Sequence, residues 1–450
     1  MTNLIVELSN YVMILLMAVY TYGNFRYFSL KEEERQNRVC AGQIRAMFAI
    51  HAVAYMVMYL QTEDETLKNS LLAFFTAQVI FFLCYIYLYR ALYRNVSRLL
   101  VNNTCMLLCV GLIMLTRLSL GDGLERAVRQ FVIIVISAVV CFLLPWIMER
   151  FWQLYRFQWF YAGLGMGLLL IVWAAGDESF GAQLSLSVAG VSIQPSEFVK
   201  ISFVFFVASM FYQSVSFQSV CATTAVAAAH VLILVLSKDL GGALIFFVSY
   251  IFMLFIATGN VLYVGAGGLL GCGASMAACQ LFDHVRRRVE AWKNPWADID
   301  NKGYQITQSL FAIGTGGWLG SGLCQGMPQK IPVVEKDFIF SAISEELGGI
   351  FALCLVLICL GCFIQFMMIA VRMQAVFYKL IAVGLGMEYI VQVFLTVGGV
   401  TKFIPSTGVT LPFVSYGGSS VLSTFMLFGI IQGLYILKRN DEEEMEQEGA

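Results

Sequence analysis

Five short strings carry residue types that could do chemistry, and each lies beside or inside an apolar stretch. QPSEFVK at 194–200 opens one such stretch: Pro195 suits an early helical position, and Ser196 and Glu197 suit a helix N-terminus. Capping does not account for Lys200, three residues after Glu197 and one turn inside the apolar run. An ionisable side chain there should face protein and pair with that carboxylate. SKDLGG at 237–242 reads as a turn in which Asp239 caps the next helix, with Lys238 placed to hold an anion beside that helix start. RRRVEAWKNPW at 286–296 sets three arginines beside Trp292 and Trp296. Arg and Trp anchor proteins at membrane surfaces, and guanidinium groups also clamp phosphate oxygens bidentately. EKDFIFSAISEELG at 335–348 places Asp337, Glu345 and Glu346 around an apolar run. These acids either favour a helix start through its dipole or include a catalytic carboxylate. Desolvation would lift Asp337 toward the range of a general base, against the pull of Lys336. In FIPSTGVTLPFVSYGGSS at 403–420, Pro405, Gly408, Pro412, Gly417 and Gly418 exclude a regular helix. The hydroxyls of Ser406, Thr407, Thr410, Ser415 and Tyr416 could line a polar cavity on such a broken, re-entrant segment.

The elements that must position these residues follow from composition. Of 450 residues 59% are hydrophobic and 13% charged, with a mean hydropathy of +0.77. Soluble domains hold about 45–50% apolar and about 25% charged residues, so a cytosolic enzyme, a nucleic-acid binder and a disordered scaffold are excluded. The chain reads as an all-α polytopic membrane protein. Runs long enough to cross about 30 Å of hydrocarbon fall at 4–22, 43–60, 71–91, 100–119, 130–147, 158–175, 198–213, 219–236, 241–258, 261–279, 347–371, 377–398 and 419–437, about 13 transmembrane helices. A β-barrel does not fit, because the runs are continuous rather than alternating. Most of the 12 cysteines sit in these runs as small hydrophobes, the Cys359–Cys362 pair included, and His51, His230 and His284 are scattered. Glu7 interrupts the first run, so no secretory leader is expected.

Basic residues orient the spans. Arg26, Lys31, Arg35, Arg38 and Arg45 follow the first run, Arg90, Arg94 and Arg98 the third, Arg150 and Arg156 the fifth, and Lys438 and Arg439 the last. The positive-inside rule with thirteen crossings puts the N-terminus outside and the acidic end, DEEEMEQEGA at 441–450, in the cytoplasm as a solvated, disordered tail. Residues 280–346 then form a large external loop of amphipathic and re-entrant pieces, where a site belongs. An external arginine clamp beside apolar surface suits a lipid-linked diphosphate.

Taken together, QPSEF at 194–198, DLG at 239–241, NPW at 294–296, GYQITQSL at 303–310, DFIF at 337–340, EELG at 345–348 and TLPFVSYGGSS at 410–420 resemble, in order, the SEDS family of FtsW, RodA and SpoVE. The resemblance spans about residues 100–437 and ten of the thirteen spans. It leaves residues 1–99, with three extra transmembrane helices, as an N-terminal extension, and 438–450 as the tail. The resemblance implies a peptidoglycan glycosyltransferase that polymerises lipid II outside the bacterial cytoplasmic membrane beside a class B penicillin-binding protein. It places the family's essential acid at Asp337 and basic residues at Arg287 and Arg288. Glu345, Glu346, Glu197, Lys200, Gln194, Asp239, Gln305, Thr410 and Ser415 follow as substrate contacts.

An α-linked donor and a β-1,4 product require one in-line attack, so a single base suffices. Asp337 would take the proton of the acceptor hydroxyl, and Arg287, Arg288 or a divalent cation such as Mg²⁺ or Mn²⁺ would stabilise the leaving diphosphate. Nothing in the sequence demands the metal. The chain departs from the family at 181–190, where GAQLSLSVAG lacks an Arg and a Trp, at Ser237-Lys238 in place of Gln-Pro, and at Glu335-Lys336 in place of His-Thr. Lys238 and Lys336 are candidates to replace those contacts. A lipid flippase or transporter would use similar broken helices, but the paired inverted repeats common in that class are not evident. A scaffold that only activates its transpeptidase is the third reading.

Overall fold

The computed structural model describes residues 2–151, 153–179, 182–188 and 191–448. The described residues form sixteen α-helices: α1 Thr2–Ser29, α2 Glu33–Gln61, α3 Glu65–Leu92, α4 Arg98–Leu118, α5 Glu125–Arg150, α6 Gln158–Ala175, α7 Ser196–Gln213 and α8 Phe217–Leu236. There follow α9 Leu240–Thr258, α10 Val261–Leu281, α11 Asp283–Lys293, α12 Tyr304–Gly316, α13 Ile339–Leu347, α14 Gly349–Arg372, α15 Val376–Val400 and α16 Gly418–Glu448. Every stretch expected to span is helical, and twelve helices are long and apolar enough to cross a membrane. The thirteenth, α7, carries Glu197 and Lys200 among its 18 residues, yet is buried over most of its length beyond the first turn. The chain is a multi-pass membrane protein.

The chain is nearly all-helical, as expected, and the connection between α6 and α7 adds a three-stranded antiparallel sheet in the order β1 Asp177–Ser179, β2 Ala182–Val188 and β3 Val191–Ile193. Of the divergent string at 181–190, Gly181, Ala189 and Gly190 lie outside the described residues. Extended pairing satisfies backbone groups that a loop beside hydrocarbon would leave bare. The acidic tail, expected to be disordered, is not irregular, because α16 continues to Glu448. Lys438 and Arg439 reach Glu442 at 3.3 and 3.8 Å, so opposite charges one turn apart carry the helix past its apolar part.

The chain divides into two compact units. The first comprises Met1–Ala138, Glu290–Cys362 and Thr396–Gly417. Its centre is α4, all of whose spanning stretch is buried. A buried helix in a membrane still needs partners for its polar side chains, and the extension supplies them. Tyr20 donates to Asn103 at 3.1 Å, Asn103 to Asn24 at 2.9 Å, and Asn102 to the Cys40 carbonyl and to Gln43 at 3.0 and 3.2 Å. Tyr55 and Thr116 share a hydrogen bond of 2.9 Å, and Gln78 links Tyr55 to His51. At Gly111 the segment after α15 comes so close that an added Cβ would lie 2.7 Å from the Val414 carbonyl oxygen.

The second unit comprises Val139–Val289, Phe363–Leu395 and Gly418–Ala450. There α7 packs on α6, α9 and α16. Ring pairs such as Phe203–Phe246, with centroids 4.7 Å apart, and Phe366–Phe428, 5.1 Å apart, fill its core.

Candidate functional site

In the first unit the candidate residues converge on α13. Asp337 is partly exposed and sits two residues before this helix, all nine of whose residues are buried. At the far end, Glu345 and Glu346 turn into the fold. Arg117 donates to Glu346 at 3.0 Å and to the Gly326 carbonyl at 3.2 Å, and the Glu346 side chain is fully buried. The Cys324 amide donates to Glu346 at 3.2 Å and the Met327 amide to Glu345 at 2.9 Å. The amides of Ser321 and Gly322 bond the backbone carbonyls of the same two acids, each at 2.9 Å. Burial pushes the Glu346 carboxyl above the ordinary carboxylate range, with Arg117 pulling it back. The two acids expected to bind substrate thus hold the loop 321–327 onto α13.

The near end is fixed by the broken segment. Ser415 donates to the Lys336 carbonyl at 2.5 Å and accepts from the Leu411 amide at 2.8 Å, and the Tyr416 amide donates to the Glu335 carbonyl at 2.7 Å. Gln130 donates to the Ser415 carbonyl at 3.4 Å and accepts from the Gly417 amide at 3.3 Å. Arg126 lies 3.7 Å from Glu335 and 2.6 Å from Asp122. Gln305, on α12, donates to the Pro332 carbonyl at 3.1 Å. Lys336 and Thr410 are partly exposed. Asp337 is therefore carried on backbone pinned at Glu335–Lys336 and again through α13.

In the second unit a polar chain starts where α7 starts. The Gln194 amide donates to Ser419 at 2.9 Å, its side chain to Ser196 at 3.2 Å, and Ser196 to Asp239 at 3.2 Å. Asp239 caps α9 as expected, accepting from the Gly242 amide at 2.8 Å. Burial raises its carboxyl above the usual range, while these hydrogen bonds and, more weakly, the charge of Arg288 lower it. Arg287 and Arg288 lie exposed on α11, and Lys238 is exposed with a left-handed φ of 64°. The expected ion pair is present: Lys200 donates to Glu197 at 2.6 Å and to Gln392 at 3.0 Å, and Ser423 donates to Glu197 at 2.9 Å.

Sequence reasoning missed several members. Glu388 is fully buried in α15 near Lys200, with neither carboxyl oxygen hydrogen-bonded among the described residues. Its signal was plain, an acid in the middle of the 377–398 apolar run. Arg117 and Gln130 gave no such signal, since each sits at the end of a run where polar residues are ordinary. Among the described residues no three His, Cys, Asp or Glu side chains converge as a metal would need. Asp337 alone does not form a ligand set, so no step is routed through a metal.

These features define a polytopic helical membrane protein with a pinned, partly exposed aspartate on an inserted loop and a buried ion-pair chain beneath helix starts. The chain belongs to the FtsW, RodA and SpoVE family of cell cycle proteins, whose model matches residues 98–440. It is 33% identical over 347 residues to the peptidoglycan glycosyltransferase RodA of Mycobacterium tuberculosis, covering 72% of this chain and 74% of that one. It is 30% identical over 347 residues to stage V sporulation protein E of Bacillus subtilis, covering 74% and 95%. A chain from a peptidoglycan synthase complex coordinating polymerization and crosslinking has a similar fold, with a TM-score of 0.64, 23% identity and coverage of 77% and 98%. So does the rod shape determining protein RodA of Thermus thermophilus, at a TM-score of 0.55, 20% identity and coverage of 77% and 97%.

Proposed function

We propose that this chain is a peptidoglycan glycosyltransferase that polymerises lipid II into β-1,4 glycan strands at the outer face of the cytoplasmic membrane, with Asp337 as general base. The observation that carries the reading is local to α13: Glu345 and Glu346 are buried, and Asp337 is partly exposed on a doubly pinned backbone. A base must hold still and still reach its proton.

The acceptor 4-hydroxyl attacks the donor anomeric carbon as the bond from that carbon to the diphosphate oxygen breaks. The hydroxyl proton passes to Asp337, configuration inverts, and the lipid diphosphate departs with the bonding electrons. Arg287 and Arg288 are the donors whose charge suits that leaving group, and Lys238 and Lys336 supply positive charge where the family carries other residues. The basic loops support an external N-terminus, which leaves Asp337 outside, where a class B penicillin-binding protein would crosslink the product.

The decisive assay gives lipid II to the purified chain alone. Polymer is expected from the natural chain, and Asp337→Asn should lower the rate at least 100-fold, within the usual range for losing a general base, with unchanged membrane insertion and melting temperature. Translocation without polymer would favour a flippase, and neither activity a scaffold. Full activity in Asp337→Asn would remove this residue from the role.

A further inference from the structure

The helices α1 and α2 lie outside the matched family region, and between them is a cavity of about 180 Å³ that the proposed reaction does not use. Its walls include Gly23 and Arg26 of α1 and Val39, Gly42 and Gln43 of α2. The glycines make the room: a Cβ on Gly42 would meet nothing within 4 Å, and one on Gly23 would only touch Val39 and Gln43 at 3.5 Å. Gln43 is 2% exposed. Its carbonyl oxygen accepts from Asn102 at 3.2 Å, which orients the amide, and its Nε2 is buried with no hydrogen-bond partner among the described residues. A buried donor left unmet is costly, so an acceptor is called for at this point. Arg26 is exposed at the same groove and holds no ion pair among the described residues. Among the described residues no acidic side chain lines the cavity.

A guanidinium, an amide donor, no opposing carboxylate and an apolar wall match one class of ligand. We infer that the α1–α2 groove binds the phosphate of an anionic membrane phospholipid, with Arg26 and the Gln43 amide on the phosphate oxygens and an acyl chain against the apolar wall that includes Val39. The stretch that follows α1 is electrically balanced, with Lys31, Arg35 and Arg38 against Glu32, Glu33 and Glu34 and Arg35 and Arg38 paired to Glu32 and Glu34 at 2.7 and 3.6 Å, so the charge offered at the groove is that of Arg26. The site does not depend on the proposed catalysis.

The test uses the full chain in micelles of phosphatidylcholine doped with phosphatidylglycerol, followed by native mass spectrometry of retained lipid. The natural chain should retain phosphatidylglycerol. Arg26→Gln, which removes the charge, and Gly42→Leu, which fills the groove, should each lower retention at least tenfold, with melting in pure phosphatidylcholine unchanged. Gly42→Ala replaces Gly42→Leu should the larger side chain unfold the protein, and a several-fold loss is then expected. Lys31→Gln, an exposed cation of the same stretch that does not line the groove, should have no effect. An equal loss in Lys31→Gln would mean diffuse surface attraction and would overturn the site. So would unchanged retention in Arg26→Gln, or complete displacement of the lipid by millimolar inorganic phosphate, which would mark a plain anion pocket.

Discussion

At the scale of single residues, the candidate acids separate by what they touch. Asp337 is distinguished by partial exposure, and Glu346 by a guanidinium and an amide at hydrogen-bond distance. The sequence placed all of them within fourteen residues but could not say which turned inward, because that depends on Arg117, more than two hundred residues earlier. Arg117→Met would strand a buried carboxylate, at a cost of about 3–5 kcal/mol. The dependence on pH has a definite sign. A folded-state value above the unfolded one means that protonation favours the fold, so the contribution of Glu346 is complete in acid and fades as pH rises through the raised value. Without Arg117 that value rises further, so the melting deficit of the variant should be large at pH 8 and mostly relieved near pH 5. Thermal melts of both proteins at the two pH values check this, and a deficit independent of pH would contradict it.

At the scale of elements, hydrophobic run length located the long helices because crossing hydrocarbon imposes a length that little else in a protein requires. It could not find the sheet at 177–193, whose strands of three and seven residues leave no such signature. The broken segment after α15 was legible from Pro405, Pro412 and its glycines, but its partners were not. Ser415 was expected to line a cavity with other hydroxyls and instead bridges the Leu411 amide and the Lys336 carbonyl, positioning the backbone beside Asp337. That assembly rests on Gly111 of α4, where a methyl group would press on the backbone oxygens of Phe413 and Val414 at 2.8 and 2.7 Å. Gly111→Ala should cost about 1–3 kcal/mol of stability by overpacking and lower polymerisation at least tenfold by shifting Ser415. Gly163→Ala, on open ground in α6, should leave both measurements unchanged.

At the scale of the molecule, the extension was legible as three spans but not as part of the core, since its bonds to α4 join residues up to 83 positions apart. Asn102, Asn103 and Thr116 of α4 take partners from α1 and α2. Removing residues 1–97 should therefore leave polar groups of α4 against lipid, at about 1–3 kcal/mol each. The shortened chain should fail to elute as a single species in detergent and recover when residues 1–97 are co-expressed as a separate fragment. A well-behaved and fully active shortened chain would show that the extension is dispensable. The last helix carries a different implication. With 31 residues and 1.5 Å per residue, α16 is about 46 Å long, against about 30 Å of hydrocarbon. Its acidic turns thus continue the last span as stiff helix, held at Asn440 by Glu149 and at Met445 by Gln374, rather than as a loose tether. A fluorophore attached there would report a fixed standoff from the apolar part of α16 and a restricted tumbling.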